Sequence, residues 1–211
     1  MKRRIGIMGG TFDPIHMGHL ITAEMVRADA HLDEILFIPS ARPPHKDGAR
    51  AASAEDRLIM TAYAVAENPH FSVSDIELKR DGPSYTVDTI TQLRSNLGDT
   101  ELFFITGADA MNDLYLWHEP EQLLRSCRFI VATRQGVPLD EVLIAEKFTA
   151  EERSHIEVLP TPCRAVLAGA AQPYPGCADA AFGDLLDRYS RTHPCGTVHP
   201  PSCSARCGGV Y

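Results

Sequence analysis

Arg4-Ile-Gly-Ile-Met8-Gly-Gly-Thr-Phe-Asp-Pro-Ile-His-Met-Gly-His-Leu20 runs from an apolar strand, through a glycine-rich turn, into the start of a helix. Glycines let a backbone approach a phosphate closely, and a helix start offers free N–H groups at the positive end of its dipole. The stretch has no Gly-Lys-Ser/Thr of a Walker loop and no G-x-G-x-x-G dinucleotide fingerprint. It carries instead His16 and His19, three residues apart and therefore on one face of the helix start. Two imidazoles there can donate to phosphate oxygens, as a lysine does in a Walker loop. A metal pair and a plain surface pair are the competing readings at this spacing.

Working outward, apolar runs alternate with helical periods. Leu20, Ile21, Ala23, Met25 and Val26 keep a helical spacing between Gly18 and Ala30. Residues 34–39 (EILFIP), 102–106 (LFFIT) and 128–133 (RFIVAT) are continuous apolar runs, the pattern of strands buried on both faces. Residues 71–78 (FSVSDIEL) alternate with period two and predict a half-exposed strand, and 155–159 predicts the last strand. Ser53 followed by Glu55 and Asp56 opens another helix, and 86–97 and 119–126 read as helices. This order predicts an α/β fold, a Rossmann-like doubly wound parallel sheet with helices on both faces. Ligands in such sheets bind beyond the carboxyl ends of the strands, so the loops after Met8, Ile38, Thr106 and Ala132 are the expected site.

Composition narrows the classes. Of 211 residues, 20 are basic and 28 acidic, a net charge of −8, which gives no broad basic footprint for nucleic acid. No apolar run approaches the roughly 18 residues that a membrane span needs, and residues 1–7 turn into the glycine loop before a signal-peptide core could form, so the expected compartment is cytoplasmic. Of six cysteines only Cys127 lies before residue 161, and the last 51 residues hold 17 Pro, Gly or Cys and only 7 charged side chains. The composition divides the chain into a domain over 1–160 and a divergent, poorly ordered tail over 161–211. A metal site built from His193, Cys195, His199, Cys203 and Cys207 is disfavoured by their spacing.

The string Phe12-Asp-Pro-Ile-His-Met-Gly-His19 resembles the signature of the nucleotidylyltransferase superfamily. Pro43-Pro-His-Lys46, Gly82-Pro-Ser-Tyr-Thr86, Gly107-Ala-Asp109, Leu116-Trp-His118 and Arg134 extend the likeness. Over about residues 3–160 the chain resembles the bacterial nicotinate mononucleotide adenylyltransferases. That resemblance implies adenylyl transfer from ATP to nicotinate mononucleotide, giving deamido-NAD and pyrophosphate. Gly9, Gly10, Thr11 and Phe12 match the loop around the phosphates, and His16 and His19 match its phosphate-binding pair. Lys46 matches a basic residue near the phosphates, with His45 beside it. Gly107 ends a strand and Asp109 matches an acid near the ribose or adenosine. Thr86 and Trp117 match the nicotinate pocket, Trp117 stacking on the pyridine ring, and Arg134 matches a basic residue near the mononucleotide.

Each residue has a plainer role available. Trp117 can be a core anchor, Thr86 a helix cap, Lys46 a solvated loop charge and Asp109 a cap for the helix that follows. Arg57 is expected on the helix surface, with a ligand contact as the alternative. No acidic pair suggests a metal cage, so Mg²⁺ is expected to arrive with ATP, held mostly by its phosphates. A homo-oligomer is left open.

The family's second phosphate signature, I-S-S-T-x-I-R, has no counterpart in Leu159-Pro-Thr-Pro-Cys-Arg164 and the residues that follow. Codons for 163–173 exist that, read one base later, encode Ala-Val-Leu-Ser-Ser-Pro-Glu-Leu-Arg. Residues 188–194 can likewise become Val-Ile-Pro-Glu-Pro-Ile-Arg. A frameshift near 161–163 is therefore the expected origin of the tail. Two other functions stay in play: a sister adenylyltransferase for nicotinamide mononucleotide or phosphopantetheine, and a nucleotide-binding pseudoenzyme impaired by loss of that signature.

Overall fold

The computed structural model describes residues 2–42, 52–133 and 137–160. The expectations for the tail from 161, and those for His45, Lys46 and Arg134, fall outside these residues. Six parallel strands form one sheet: β1 (Arg3–Gly10), β2 (Glu34–Pro39), β3 (Phe71–Val73), β4 (Thr100–Gly107), β5 (Arg128–Thr133) and β6 (Ile156–Pro160). Their order across the sheet is β3-β2-β1-β4-β5-β6. The chain leaves β1 toward β2 on one side and returns through β4 on the other, so the strand order reverses between β1 and β4. That reversal opens a crevice at the carboxyl ends of those two strands.

The continuous apolar runs are buried on both faces, as their pattern requires. Leu102 and Phe104 join Ile5, Ile7, Phe129 and Val131 in one core layer. Phe103 and Ile105 turn the other way and join Ile35, Phe37 and Ile130. Helix α1 (Met17–Asp29) covers the second layer with Ala23 and Val26, and α2 (Ala54–Val65) adds Val65. Helices α3 (Thr86–Leu97), α4 (Ala108–Asn112) and α5 (Pro120–Ser126) cover the first layer with Val87, Ile90, Met111 and Leu123. Two short helices, α6 (Glu141–Lys147) and α7 (Ala150–Arg153), lead into β6.

One predicted strand is much shorter than its pattern. Residues 71–78 give a strand only over Phe71–Val73. The alternation slips after Val73, because Ile76 and Glu77 are buried one after the other. The Ser74 N–H closes the ladder on the Phe37 carbonyl at 2.9 Å, and the Ser74 hydroxyl accepts from the Ile76 N–H at 3.3 Å. That local bond turns the chain away from the sheet. Among the described residues no helix is long and apolar enough to cross a membrane.

Candidate active site

Gly9 and Gly10 finish β1, and the chain then turns through Thr11 and Phe12 into α1. Phe12 sits at φ 48° with its ring buried against Phe37 and edge-on to the His19 ring at 5.1 Å. The loop is anchored from behind. The Gly10 carbonyl accepts from the Ser40 N–H at 2.8 Å, and the Thr11 carbonyl accepts from Arg57 Nη1 at 2.6 Å. Arg57 is thus not on the helix surface: it is 3% exposed, under the loop.

His16 caps α1, and its ring stacks on His19 with centroids 3.8 Å apart. Gly18 makes room for this, since a Cβ there would lie 3.0 Å from His16 Nδ1 and Cε1. The His16 N–H donates to His19 Nδ1 at 3.2 Å. An accepting Nδ1 leaves the proton of a neutral His19 on Nε2, so the ring's far nitrogen is the donor. Burial, and then the nearby His16, push the His19 pKa down to about 4. At neutral pH His19 is therefore a neutral donor at a helix N-terminus, with the His16 ring stacked on it.

Next to β1, Gly107 ends β4 and caps α4, and Asp109 lies in the first turn. A Cβ on Gly107 would stand 2.5 Å from Asp109 Oδ1, so the carboxylate folds back over the strand end, where glycine leaves it room. Behind α4, Asn112 donates to the Pro138 carbonyl at 3.1 Å and accepts from the Asp140 N–H at 2.8 Å. That pair of bonds ties α4 to the segment after β5.

Thr86 and Trp117 come together in a cleft of about 750 Å³, whose walls include Ser84, Tyr85, Asp113 and His118. The half-buried Trp117 ring meets Phe104 edge-on at 5.9 Å, so it is anchored to the core on one edge and faces the cleft as well. The Phe104 ring also lies 3.4 Å from where a Gly9 Cβ would stand. Phe104 therefore touches both the glycine loop and the Trp117 wall of the cleft. Thr86 is not the cap of α3: Tyr85 is, and Thr86 occupies the first helical position.

Three sets of contacts that build the cleft had no signal in the sequence. Tyr85 stacks on His118 at 4.3 Å, 33 positions along the chain. Ser84 Oγ accepts from the Ala41 and Arg42 N–H groups at 3.2 and 3.1 Å, joining the chain after β2 to the cleft wall. Beneath Tyr85, Thr89 donates to the buried Glu77 at 2.8 Å, and Arg80 reaches Thr89 Oγ1 at 3.0 Å and the Tyr85 carbonyl at 3.4 Å. The Gly82-Pro-Ser-Tyr-Thr86 and Leu116-Trp-His118 strings marked this region but not its contacts, because ring stacking and buried bonds between distant residues leave no periodic trace.

Comparisons with known proteins agree with this geometry. The chain is 46% identical over 165 residues to a probable nicotinate-nucleotide adenylyltransferase of Moorella thermoacetica, covering 77% of this chain and 76% of that protein. It is 43% identical over 161 residues to the protein of the same name from a Nocardioides species, covering 74% and 78%. Among solved structures it is similar to a Plasmodium falciparum nicotinic acid mononucleotide adenylyltransferase complexed with NaAD. The TM-score is 0.64 at 20% identity, over 76% of each chain, a likeness of fold. The model of the cytidylyltransferase-like family matches residues 7–165, three quarters of the sequence, and the chain belongs to that family.

Proposed function

We infer that the chain transfers the adenylyl group of ATP to nicotinate mononucleotide, releasing pyrophosphate and forming deamido-NAD. The observation that carries this reading is the juxtaposition at the strand reversal: the His16–His19 donor pair at the end of β1, with an aromatic cleft reached through Phe104. The curated relatives carry the same activity in their names.

The reaction needs no side-chain nucleophile. An oxygen of the mononucleotide's 5′-phosphate attacks the α-phosphorus of ATP in line, the new O–P bond forms, and the bond to the β-phosphate oxygen breaks. Negative charge builds on the departing pyrophosphate. The Gly9–Phe12 backbone, the α1 N-terminus and His19 Nε2–H lie where they neutralise it, with His16 alongside. Trp117 stacks on the pyridine ring, N–H groups at the start of α3 around Thr86 hold its carboxylate, and Asp109 accepts from a ribose hydroxyl. His45, Lys46 and Arg134 complete the reading as basic contacts to the phosphates and the mononucleotide. Mg²⁺ enters on the phosphates of ATP. Most of the catalysis on this reading is positioning.

A second reading has its own support. The family match stops at residue 165, close to the composition break, and the serine pair and arginine of the second phosphate signature are missing beyond it. A two-part chain whose tail is a frameshift product would bind nucleotides and turn over poorly. A pyrophosphate-release assay with ATP and nicotinate mononucleotide, run beside calorimetric titration of each ligand, separates the two. Turnover that exceeds that with nicotinamide mononucleotide or phosphopantetheine is the expected result. Binding without turnover overturns it in favour of the second reading, and the coding DNA across 155–211 then tests the frameshift directly.

A further inference from the structure

Arg57 lies in the first turn of α2, 3% exposed, and no function has been given to it above. Its Nη1 donates to the Thr11 carbonyl at 2.6 Å and its Nε to the Ala52 carbonyl at 3.2 Å. Its own carbonyl accepts from the buried Thr61 hydroxyl at 2.7 Å, which holds the turn of helix that carries it. Among the described residues Arg57 has no ion pair. Arg27, by contrast, sits beside a carboxylate, that of Glu24 at 2.6 Å. Two carbonyls take two of the guanidinium's five N–H donors, and among the described residues no carboxylate pairs with its charge, which guanidinium does not shed.

The contact with Thr11 has a geometric consequence. A trans peptide is planar, so the Thr11 carbonyl and the Phe12 N–H point in opposite directions. By drawing that carbonyl toward α2, Arg57 turns the Phe12 N–H away from α2. Among the described residues that N–H finds no backbone acceptor. The peptide is thus held with its donor facing away from α2, in the stretch of chain between the glycine pair and the stacked histidines.

We propose that Arg57 is a positioning residue for a polyphosphate: it orients the Phe12 N–H toward the anion, and its positive charge supplies attraction from beneath the loop without touching the ligand. The proposal rests on the transfer reading for the identity of the anion, the pyrophosphate portion of ATP. It specifies which half of the reaction Arg57 serves, and the cleft at Trp117 is outside its reach.

The test compares Arg57→Gln, which retains a carbonyl-bonding amide without charge, and Arg57→Lys, which retains charge without the fork. Thermal unfolding with inorganic pyrophosphate as the probe is read beside KM for ATP and for nicotinate mononucleotide. The expected result for Arg57→Gln is a KM for ATP raised about tenfold or more, KM for the mononucleotide changed less than about twofold, and most of the pyrophosphate-induced rise in Tm lost. Arg57→Lys is expected to recover at least half of that rise. A lower Tm without pyrophosphate, with the pyrophosphate increment intact or both KM values raised alike, marks a purely structural arginine and overturns the proposal. If Arg57→Gln does not fold, Arg57→Lys decides alone, since loss of the pyrophosphate increment in a charged variant contradicts a role for the charge. If wild type shows no turnover, the transfer reading fails while the pyrophosphate increment still tests Arg57.

Discussion

The glycine loop and the aromatic cleft both border Phe104, yet they are built in different ways. Gly9 to His19 is one continuous piece of chain, held by hydrogen bonds to its carbonyls from the Ser40 N–H and the Arg57 guanidinium and by a histidine pair stacked on its own helix start. The cleft is assembled from residues 84–86 and 110–118, which are brought together by α3 and α4 packing on one face of the sheet. The loop presents N–H groups, whose interaction grows as charge develops. The cleft presents rings, whose contact area is the same before and during the reaction. Toward the mononucleotide, the loop should therefore act on rate and the cleft on ground-state binding.

The largest effect should come from the loop. His19→Ala removes the Nε2–H donor, and one donor to developing charge is typically worth about 3 kcal/mol, or a hundredfold in kcat. Steady-state kinetics should show that fall with KM for nicotinate mononucleotide nearly unchanged. A variant that loses KM and keeps kcat would erase the proposed division between loop and cleft.

A smaller effect of the other kind is expected from Trp117→Ala. Stacking of a base-like ring on an aromatic side chain contributes on the order of 1–3 kcal/mol. Calorimetric titration should show weaker binding of nicotinate mononucleotide by that amount, with the affinity for ATP retained. Because Trp117 also leans on Phe104, which contacts the loop, equal losses for both ligands would mean that the two regions behave as one unit.

The same contrast explains what could be read in advance. The sheet, its parallel sense and the loop were legible because each depends on residues adjacent in sequence: β1 and its glycines, the runs of β2, β4 and β5, and the His16–His19 spacing. β3 was overestimated because a side-chain bond at Ser74 interrupts an apparent alternation. Helices α4, α6 and α7 are five, seven and four residues long, too short to complete a periodic pattern. Trp117 and Thr86 were legible through the family resemblance, but the cleft's supports were not. Tyr85 against His118, Thr89 against Glu77 and Arg57 under Thr11 are pairings that only the fold creates. Arg57 was misplaced for a physical reason, since a charged residue in a helix's first turn is ordinarily solvated.

The smallest effect concerns the protonation of the loop itself. Burial chiefly, with His16 adding to it, lowers the His19 pKa from 6.5 to about 4. In the unfolded chain the imidazole takes up its proton near pH 6.5, whereas the folded protein resists until about pH 4. The contribution to stability is thus fully present above pH 6.5, falls as the pH drops toward 4, and is constant below that. His19 is only partly buried, so solvent screening makes the loss modest. Denaturant midpoints measured from pH 8 to pH 5 should therefore decline more steeply for wild type than for His19→Gln. Trp117→Ala should keep the wild-type slope, because the cleft plays no part in it. Pyrophosphate should flatten the wild-type curve, since an anion beside the ring favours its protonated form. Parallel slopes for wild type and His19→Gln would mean that His19 does not carry the pH response, and that the loop's donor array owes nothing to a suppressed imidazole charge.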